Sequence, residues 1–349
     1  MKEFTQLAKL KKGDQVAIVS PSTGLPGLFP WVQDLGLERL QAEPFKLVPK
    51  EYPTTRTMGS SPEDRARDLM AAFQDPANKA VIASIGGEDG IQVIKHLDPK
   101  VFTANPKPFF GFSDSTHVHN FLWGLGIPSY YGGSIMTQYA MQGGMDELTV
   151  KFLQNALFNK GEVELETATE YNDEGLNWAD QANLNKTRKR EPNDKLHWDG
   201  SADAEGVLWG GCVESLIVQS TAAKYLPKTS DLAGAILFIE TAEDLPDAWV
   251  VEYLLMGFGE RGWFAPGQFQ AVLVGRPKAW EFNKQNDTAQ KAAFRQAQRE
   301  AVVKTVRLYN KAIPIIQNLD FGHTDPQIAL PLGGKARVDT EQKKIWLTY

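Results

Sequence analysis

Three short apolar runs constrain the chain most: Gln15–Val19, Ala80–Ile85 and Pro108–Phe112, each closing on small or turn-forming residues. The first stops at Ser20-Pro21-Ser22-Thr23-Gly24. The second stops at Gly86-Gly87-Glu88-Asp89-Gly90 and passes into a helical pattern, Ile91–Leu97. The third breaks at Gly111-Phe112-Ser113-Asp114 before the helical pattern Thr116–Trp123. A continuous apolar run of strand length is buried on both faces, and strands of that kind alternating with helices make parallel βαβ units. Phe45–Val48 reads as a further strand. Ser61-Pro62-Glu63-Asp64 supplies an N-cap, a proline at the first helical position and an acid three residues after the cap, so a helix runs through Ala66–Phe73 to Asp75-Pro76. The first part of the chain is therefore expected to be an open, doubly wound α/β domain.

After Thr167 the pattern is lost. Residues 167–200 are rich in Asn, Asp, Glu, Lys and Arg and carry Trp178 and Trp198. A segment of this length without clear elements is a disordered stretch or a functional lid, and tryptophans favour the lid. Periodicity resumes near Ala204, with strands expected at Gly206–Trp209, Ala235–Glu240, Gln270–Gly275, Ile313–Ile316 and Lys344–Thr348. Helices are expected at Glu214–Ala223, Asp247–Phe258 and from Thr288 to Asn310. The expected organisation is a first domain over 1–165, a connecting lid over 166–203 and a second, smaller β/α domain over 204–349.

Composition removes several functions. The chain of 349 residues carries 37 Lys+Arg against 43 Asp+Glu, a net charge of −6, which offers no footprint for a nucleic-acid polymer or an anionic membrane. A single cysteine, Cys212, excludes an internal disulfide framework and a cysteine-based zinc cluster. The Lys-rich start, Met1–Gly13, lacks a signal-peptide core, and no apolar stretch has membrane-spanning length, so a cytoplasmic protein is expected.

The chemistry-bearing residues stand at strand ends. Ser113 follows an apolar strand and precedes a helix, which puts its hydroxyl at the carboxyl edge of a parallel sheet, where open α/β folds hold ligands. The N–H of Asp114 then faces the space where an oxyanion would develop. Ser115 stands where a nucleophile elbow Gly-x-Ser-x-Gly has its second glycine, so helix capping by Ser113 remains an alternative to nucleophilic attack. Of five histidines, His117 and His119 lie on different faces of one helix, His96 at a polar helix end and His197 in the polar segment. His323, in Phe321-Gly322-His323-Thr324-Asp325-Pro326, sits in a turn after a strand, where a glycine allows close approach. It is either a catalytic base or a turn residue bonded to Asp325. Glu240 closes the apolar run Ala235–Ile239, a costly place for a carboxylate without a partner. Glu243, three residues on, is expected to be solvated. Gly86-Gly87 offers either a second oxyanion donor or a phosphate-binding turn, with Glu88 and Asp89 opposing phosphate.

In combination, Gly86-Gly87, Gly111-Phe112-Ser113-Asp114, Gly210-Gly211, Leu237-Phe238-Ile239-Glu240 and Gly322-His323-Thr324-Asp325-Pro326 resemble the LD-carboxypeptidase family of serine peptidases, from about Lys11 to Asp339. The resemblance implies a flavodoxin-like N-terminal domain, a smaller β/α domain and a homodimer. It implies Ser113 as nucleophile, Glu240 as acid, His323 as base, and an oxyanion hole from the N–H groups of Gly87 and Asp114, with no metal or organic cofactor. One branch of the family releases terminal D-alanine from murein tetrapeptides; the other resembles the microcin C immunity protein and cleaves a peptidyl or aminoacyl group from a modified nucleotide. Trp178 matches the nucleobase-stacking tryptophan of the second branch, so the expected substrate is a small peptidyl-nucleotide, with the murein peptide as alternative. Glu88-Asp89 and Cys212 depart from the family pattern at positions that shape the pocket. A non-enzymatic module binding a small ligand, and an esterase of the α/β-hydrolase type, are the rival readings.

Overall fold

The computed structural model describes residues 2–349. One continuous 14-stranded sheet runs through it. Its first half is the run Val48–Glu51, Gln15–Val19, Asn78–Ala83, Phe109–Gly111 and Ser129–Tyr131, all parallel. Its second half continues through Leu330–Leu332, Ala204–Cys212, Ala235–Glu240, Ala271–Gly275 and Ile315–Leu319, again parallel to one another. The halves meet at an antiparallel junction in which Leu330 pairs with Tyr131 and Leu332 with Ser129. Mixed α/β architecture with two wound halves is what the apolar runs led one to expect.

Every core strand is buried because helices cover both faces. In the first half, Pro62–Gln74 and Thr116–Gly124 pack on Ala17, Val81, Ala83 and Phe109, while Glu147–Phe158 closes the other face over Val16, Ile82 and Phe110. The Ser61 hydroxyl accepts from the Asp64 N–H at 3.1 Å, which makes it the cap expected for Pro62–Gln74. In the second half, Val213–Ala222, Ala248–Glu260 and Thr288–Tyr309 surround a core that reaches across the junction to Phe112, Trp123 and Tyr131. The helix Thr116–Gly124 fastens the halves at both its ends. Its Thr116 Oγ1 accepts from the Cys212 N–H at 3.0 Å, and Trp123 Nε1 donates to Leu208 O at 3.1 Å.

Some expectations need correction. The strand expected at Phe45–Val48 forms at Val48–Glu51. Phe45 and Leu47 are buried, but Lys46 between them has φ +49°, a turn geometry outside the extended region of a regular strand. The helix expected to reach Leu97 is a single turn, Ile91–Ile94, and a second short helix follows at Pro99–Ala104. The strand Ser129–Tyr131 and the helix Glu147–Phe158 stand where none was expected. The polar segment 167–200 is built into the fold. Glu170–Tyr171 pairs with Glu191–Pro192, and His197–Asp199 adds an antiparallel strand beside Ile315–Leu319. Lys291, 2% exposed, reaches up from its helix to Asp173 at 2.9 Å, Glu174 at 2.7 Å and Glu191 at 2.8 Å. Arg295, one turn further on, pairs with Asp173 as well. Charges of this segment are its fastening to the helix Thr288–Tyr309.

Candidate active site

Three strand ends converge. Phe109–Gly111 delivers Ser113, Ala235–Glu240 ends on Glu240, and the turn after Ile315–Leu319 carries His323. Ser113 has φ +60°, a left-handed conformation that costs a non-glycine residue about 1–2 kcal/mol and is held only where its surroundings enforce it. Here its N–H donates to the Tyr131 hydroxyl at 3.0 Å, and its carbonyl accepts from Thr116 Oγ1 at 2.7 Å. The Ser113 side chain makes no helix cap. Its Oγ lies 3.0 Å from His323 Nε2 instead.

His323 Nδ1 lies 2.7 Å from Glu240 Oε2. In the neutral ring this contact fixes the tautomer that leaves Nε2 as the acceptor for Ser113. Glu240 is 1% exposed, and its other oxygen accepts from the Tyr131 hydroxyl at 2.5 Å. Gly322 permits the approach: with φ +101°, it lies where a side chain would bring Cβ to 2.7 Å from Glu240 Oε2. Asp325 does not bond to the histidine. It pairs with Arg188 at 2.6 Å, which removes the turn-histidine alternative.

Burial works against the His323 imidazolium, but the adjacent charges of Glu240 and Glu243 outweigh it and hold the ring well above the usual histidine value. Burial, reinforced by the charge of Glu240, likewise pushes the Tyr131 phenol and the Cys212 thiol up. Both therefore stay protonated and serve as donors. Cys212 donates to Glu214 at 3.0 Å, while the two Glu214 oxygens accept the Ala242 N–H at 3.1 and 3.2 Å.

The glycine turn lies directly against the serine. A Cβ on Gly86 would stand 3.2 Å from Ser113 Oγ and 3.3 Å from the Asp114 nitrogen. Gly87 has φ +148°, and a side chain there would strike Ser22 Oγ at 2.3 Å. Among the described residues the Gly87 N–H has no acceptor. The turn is pinned from two sides. The Asp114 carboxylate accepts the Gly90 N–H at 2.7 Å, and Arg65 grips Asp89 through two contacts, at 2.7 and 2.8 Å. His117, 1% exposed, braces Asp114 from behind at 3.2 Å. His119 is a core residue whose ring nitrogens meet Ser129 Oγ and Gly111 O. His96 pairs with Glu63, and His197 belongs to the edge strand.

The serine opens into a cleft of about 880 Å³. Phe112, Gly87 and His323 line it together with Trp178 and Glu88. Trp178 is half-buried. Its ring meets Phe29 edge-on with centroids 6.0 Å apart, and its carbonyl accepts from Trp31 Nε1 at 2.8 Å. The anchoring role and the cleft-facing role therefore fall on the same residue.

Two residues escaped the sequence. Tyr131 joins the serine backbone to Glu240, and the only signal for it was an aromatic in a three-residue strand. Glu243, expected in solvent, has its Oε2 3.0 Å from His323 Nε2, the same nitrogen that faces Ser113, although its side chain is 54% exposed. The histidine charge holds the Glu243 carboxyl well below its usual range. An acidic trio, Asp173, Glu174 and Glu191, has the spacing of a cation site, but Lys291 already fills it.

Comparison with known proteins supplies the family. Residues 16–132 match the model of the LD-carboxypeptidase N-terminal domain, and residues 205–338 that of the C-terminal domain. The chain belongs to the LD-carboxypeptidase family. Membership makes it a serine peptidase of carboxypeptidase type. It is 29% identical over 346 residues to "Putative carboxypeptidase YocD" of Bacillus subtilis, covering 97% of this chain and 98% of that one. It is 25% identical to the microcin C7 self-immunity protein MccF of Escherichia coli, over 90% of this chain and 87% of MccF. The crystal structure of an MccF-like protein from Streptococcus pneumoniae in complex with AMP superposes with a TM-score of 0.83 at 28% identity, over 97% of this chain and 99% of the other. Among the described residues of this LD-carboxypeptidase family member, no helix is long and apolar enough to cross a membrane.

Proposed function

We propose that Ser113, His323 and Glu240 form a catalytic triad that hydrolyses the amide-type bond at the carboxyl end of a peptidyl or aminoacyl group. The observation that carries this reading is the unbroken hydrogen-bonded chain from Ser113 Oγ through His323 to Glu240 at 3.0 and 2.7 Å. In the reaction, Ser113 Oγ attacks the carbonyl carbon while its proton passes to His323 Nε2. Glu240 stabilises the imidazolium that results. The N–H groups of Gly87 and Asp114 receive the oxyanion. His323 then gives its proton to the leaving nitrogen, the C–N bond breaks, and an acyl-Ser113 ester remains. Water attacks that ester, again losing its proton to His323, and the collapse returns the proton to Ser113 Oγ. These steps use no metal and no organic cofactor.

For the substrate we favour a peptidyl- or aminoacyl-nucleotide. Trp178 supports it, since an indole on the cleft wall suits stacking on a base, and a relative that superposes over nearly the whole chain holds AMP. A murein tetrapeptide, cleaved to release terminal D-alanine, is the second reading, favoured by the family's own description. Direct comparison of turnover on an aminoacyl-sulfamoyl adenosine and on a murein tetrapeptide decides between them. Release of D-alanine without cleavage of the adenosine compound moves the protein to the second.

A further inference from the structure

The charges of the cleft nearly cancel within the protein, and what they leave over is negative. Its three cationic side chains are all engaged: Arg65 with Asp89 at 2.7 Å, Arg188 with Asp325 at 2.6 Å and Lys278 with Glu281 at 2.6 Å. Asp173 on the wall is held by Lys291 and Arg295. Two carboxylates remain. Glu88 has no charged partner among the described residues, and Glu243 contacts the ring of His323, with Lys278, itself paired to Glu281, the other positive charge acting on it.

The position of Glu243 has a chemical consequence. With His323 Nδ1–H donating to Glu240, a neutral imidazole presents a lone pair at Nε2, and a carboxylate oxygen 3.0 Å away is repelled by it. The contact is favourable only when Nε2 carries a proton, and a protonated Nε2 cannot accept one from Ser113. Seated there, Glu243 keeps the base loaded and idle. Its side chain is half-exposed, so it is free to swing into the cleft when a cation offers a better partner.

We propose that Glu243 is a specificity-determining residue which selects substrates carrying a cationic group on the acyl side of the scissile bond, such as a lysine-like ammonium. Binding of the ammonium draws Glu243 off His323, Nε2 gives up its extra proton to solvent, and Ser113 regains its acceptor. Glu88 adds a second negative charge to the lining of the same cleft. An acidic acyl group meets two uncommitted carboxylates and no free cation, and is disfavoured. This inference rests on the triad reading above; it holds for either the nucleotide or the peptide leaving group.

The test uses the full-length protein and two substrate scaffolds, aminoacyl-sulfamoyl adenosine and a tetrapeptide ending in D-alanine, each with Lys, Leu or Glu as the acyl residue. On whichever scaffold turns over, wild-type kcat/KM is expected to fall in the order Lys, Leu, Glu, with Lys about 3–5-fold above Leu, the scale of one partly exposed charge pair. In Glu243→Gln the Lys-to-Leu ratio should contract to within about twofold. A flat or Glu-first order in the wild type, or an unchanged ratio in the variant, overturns the proposal. Turnover on the tetrapeptide alone overturns the nucleotide reading and leaves the charge order to be read there. Absence of turnover on both overturns the hydrolase reading and this one together.

Discussion

The Tyr131 hydroxyl stands 2.5 Å from Glu240 Oε1 while it accepts the Ser113 N–H at 3.0 Å, so one phenol ties the acid strand to the serine backbone. The bond crosses the junction between the two halves of the sheet. Removing it leaves a buried carboxylate oxygen without its donor and the strained Ser113 turn without its anchor. A hydrogen bond to a charged group contributes about 1.5–3 kcal/mol. Tyr131→Phe, which keeps the ring and its packing, is therefore expected to lower kcat/KM by about 10–100-fold with an unchanged circular dichroism spectrum. Wild-type turnover in this variant would show that Tyr131 only fills space.

The pH profile follows from the carboxylates around His323. A raised imidazolium value means that the neutral, proton-accepting ring appears only at higher pH, so kcat/KM climbs with pH through that raised value. The ring faces Glu240 and Glu243, with Ser113 and the Phe112 ring beside it. Taking away the Glu243 charge removes one of the two influences that favour the protonated ring. Glu243→Gln should move the ascending limb to lower pH, measured on an uncharged acyl substrate. A limb that stays in place, or moves up, contradicts the assignment of the limb to His323.

Trp178 separates binding from chemistry. If its indole stacks on a base, Trp178→Ala should weaken a nucleotide-bearing substrate by about 1–3 kcal/mol while hydrolysis of a small ester at Ser113 stays close to wild type. Equal losses on both would assign the residue to its packing on Phe29.

How much of this was legible in the sequence depended on whether the signal was local. Ser113, Glu240 and the His323 turn stood out because each follows an apolar run long enough to be a strand, and in a parallel sheet such ends gather at one edge. Tyr131 gave no such sign, since its strand is three residues long and the value of its hydroxyl lies in a partner 109 residues away. Glu243 is exposed, as its polar neighbourhood in sequence suggested, but its contact with a histidine on another strand end left no local sign. In the segment 167–200, neutralising partners such as Lys291 and Arg295 come from a helix a hundred residues or more further on, so the sequence showed a lid without clear elements and not what fastens it.

That fastening can be tested. Lys291→Met leaves Asp173 to Arg295 alone and Glu174 and Glu191 short of a partner, and loss of one member of a buried charge network costs about 3–5 kcal/mol. The variant should show a lower urea midpoint and faster proteolytic nicking between residues 170 and 195 than the wild type. An unchanged midpoint would mean that Arg295 and Lys189 hold the segment without it.

The most direct measurement of the central claim is the site of covalent labelling by a fluorophosphonate, which reacts with a serine only when a neighbouring base activates it. Intact mass and peptide mapping are expected to show one adduct, on Ser113, lost in Ser113→Ala and slowed by at least about a hundredfold in His323→Ala. An unlabelled wild-type protein, an adduct on another residue, or equal labelling of His323→Ala would contradict a Ser113–His323–Glu240 hydrolase.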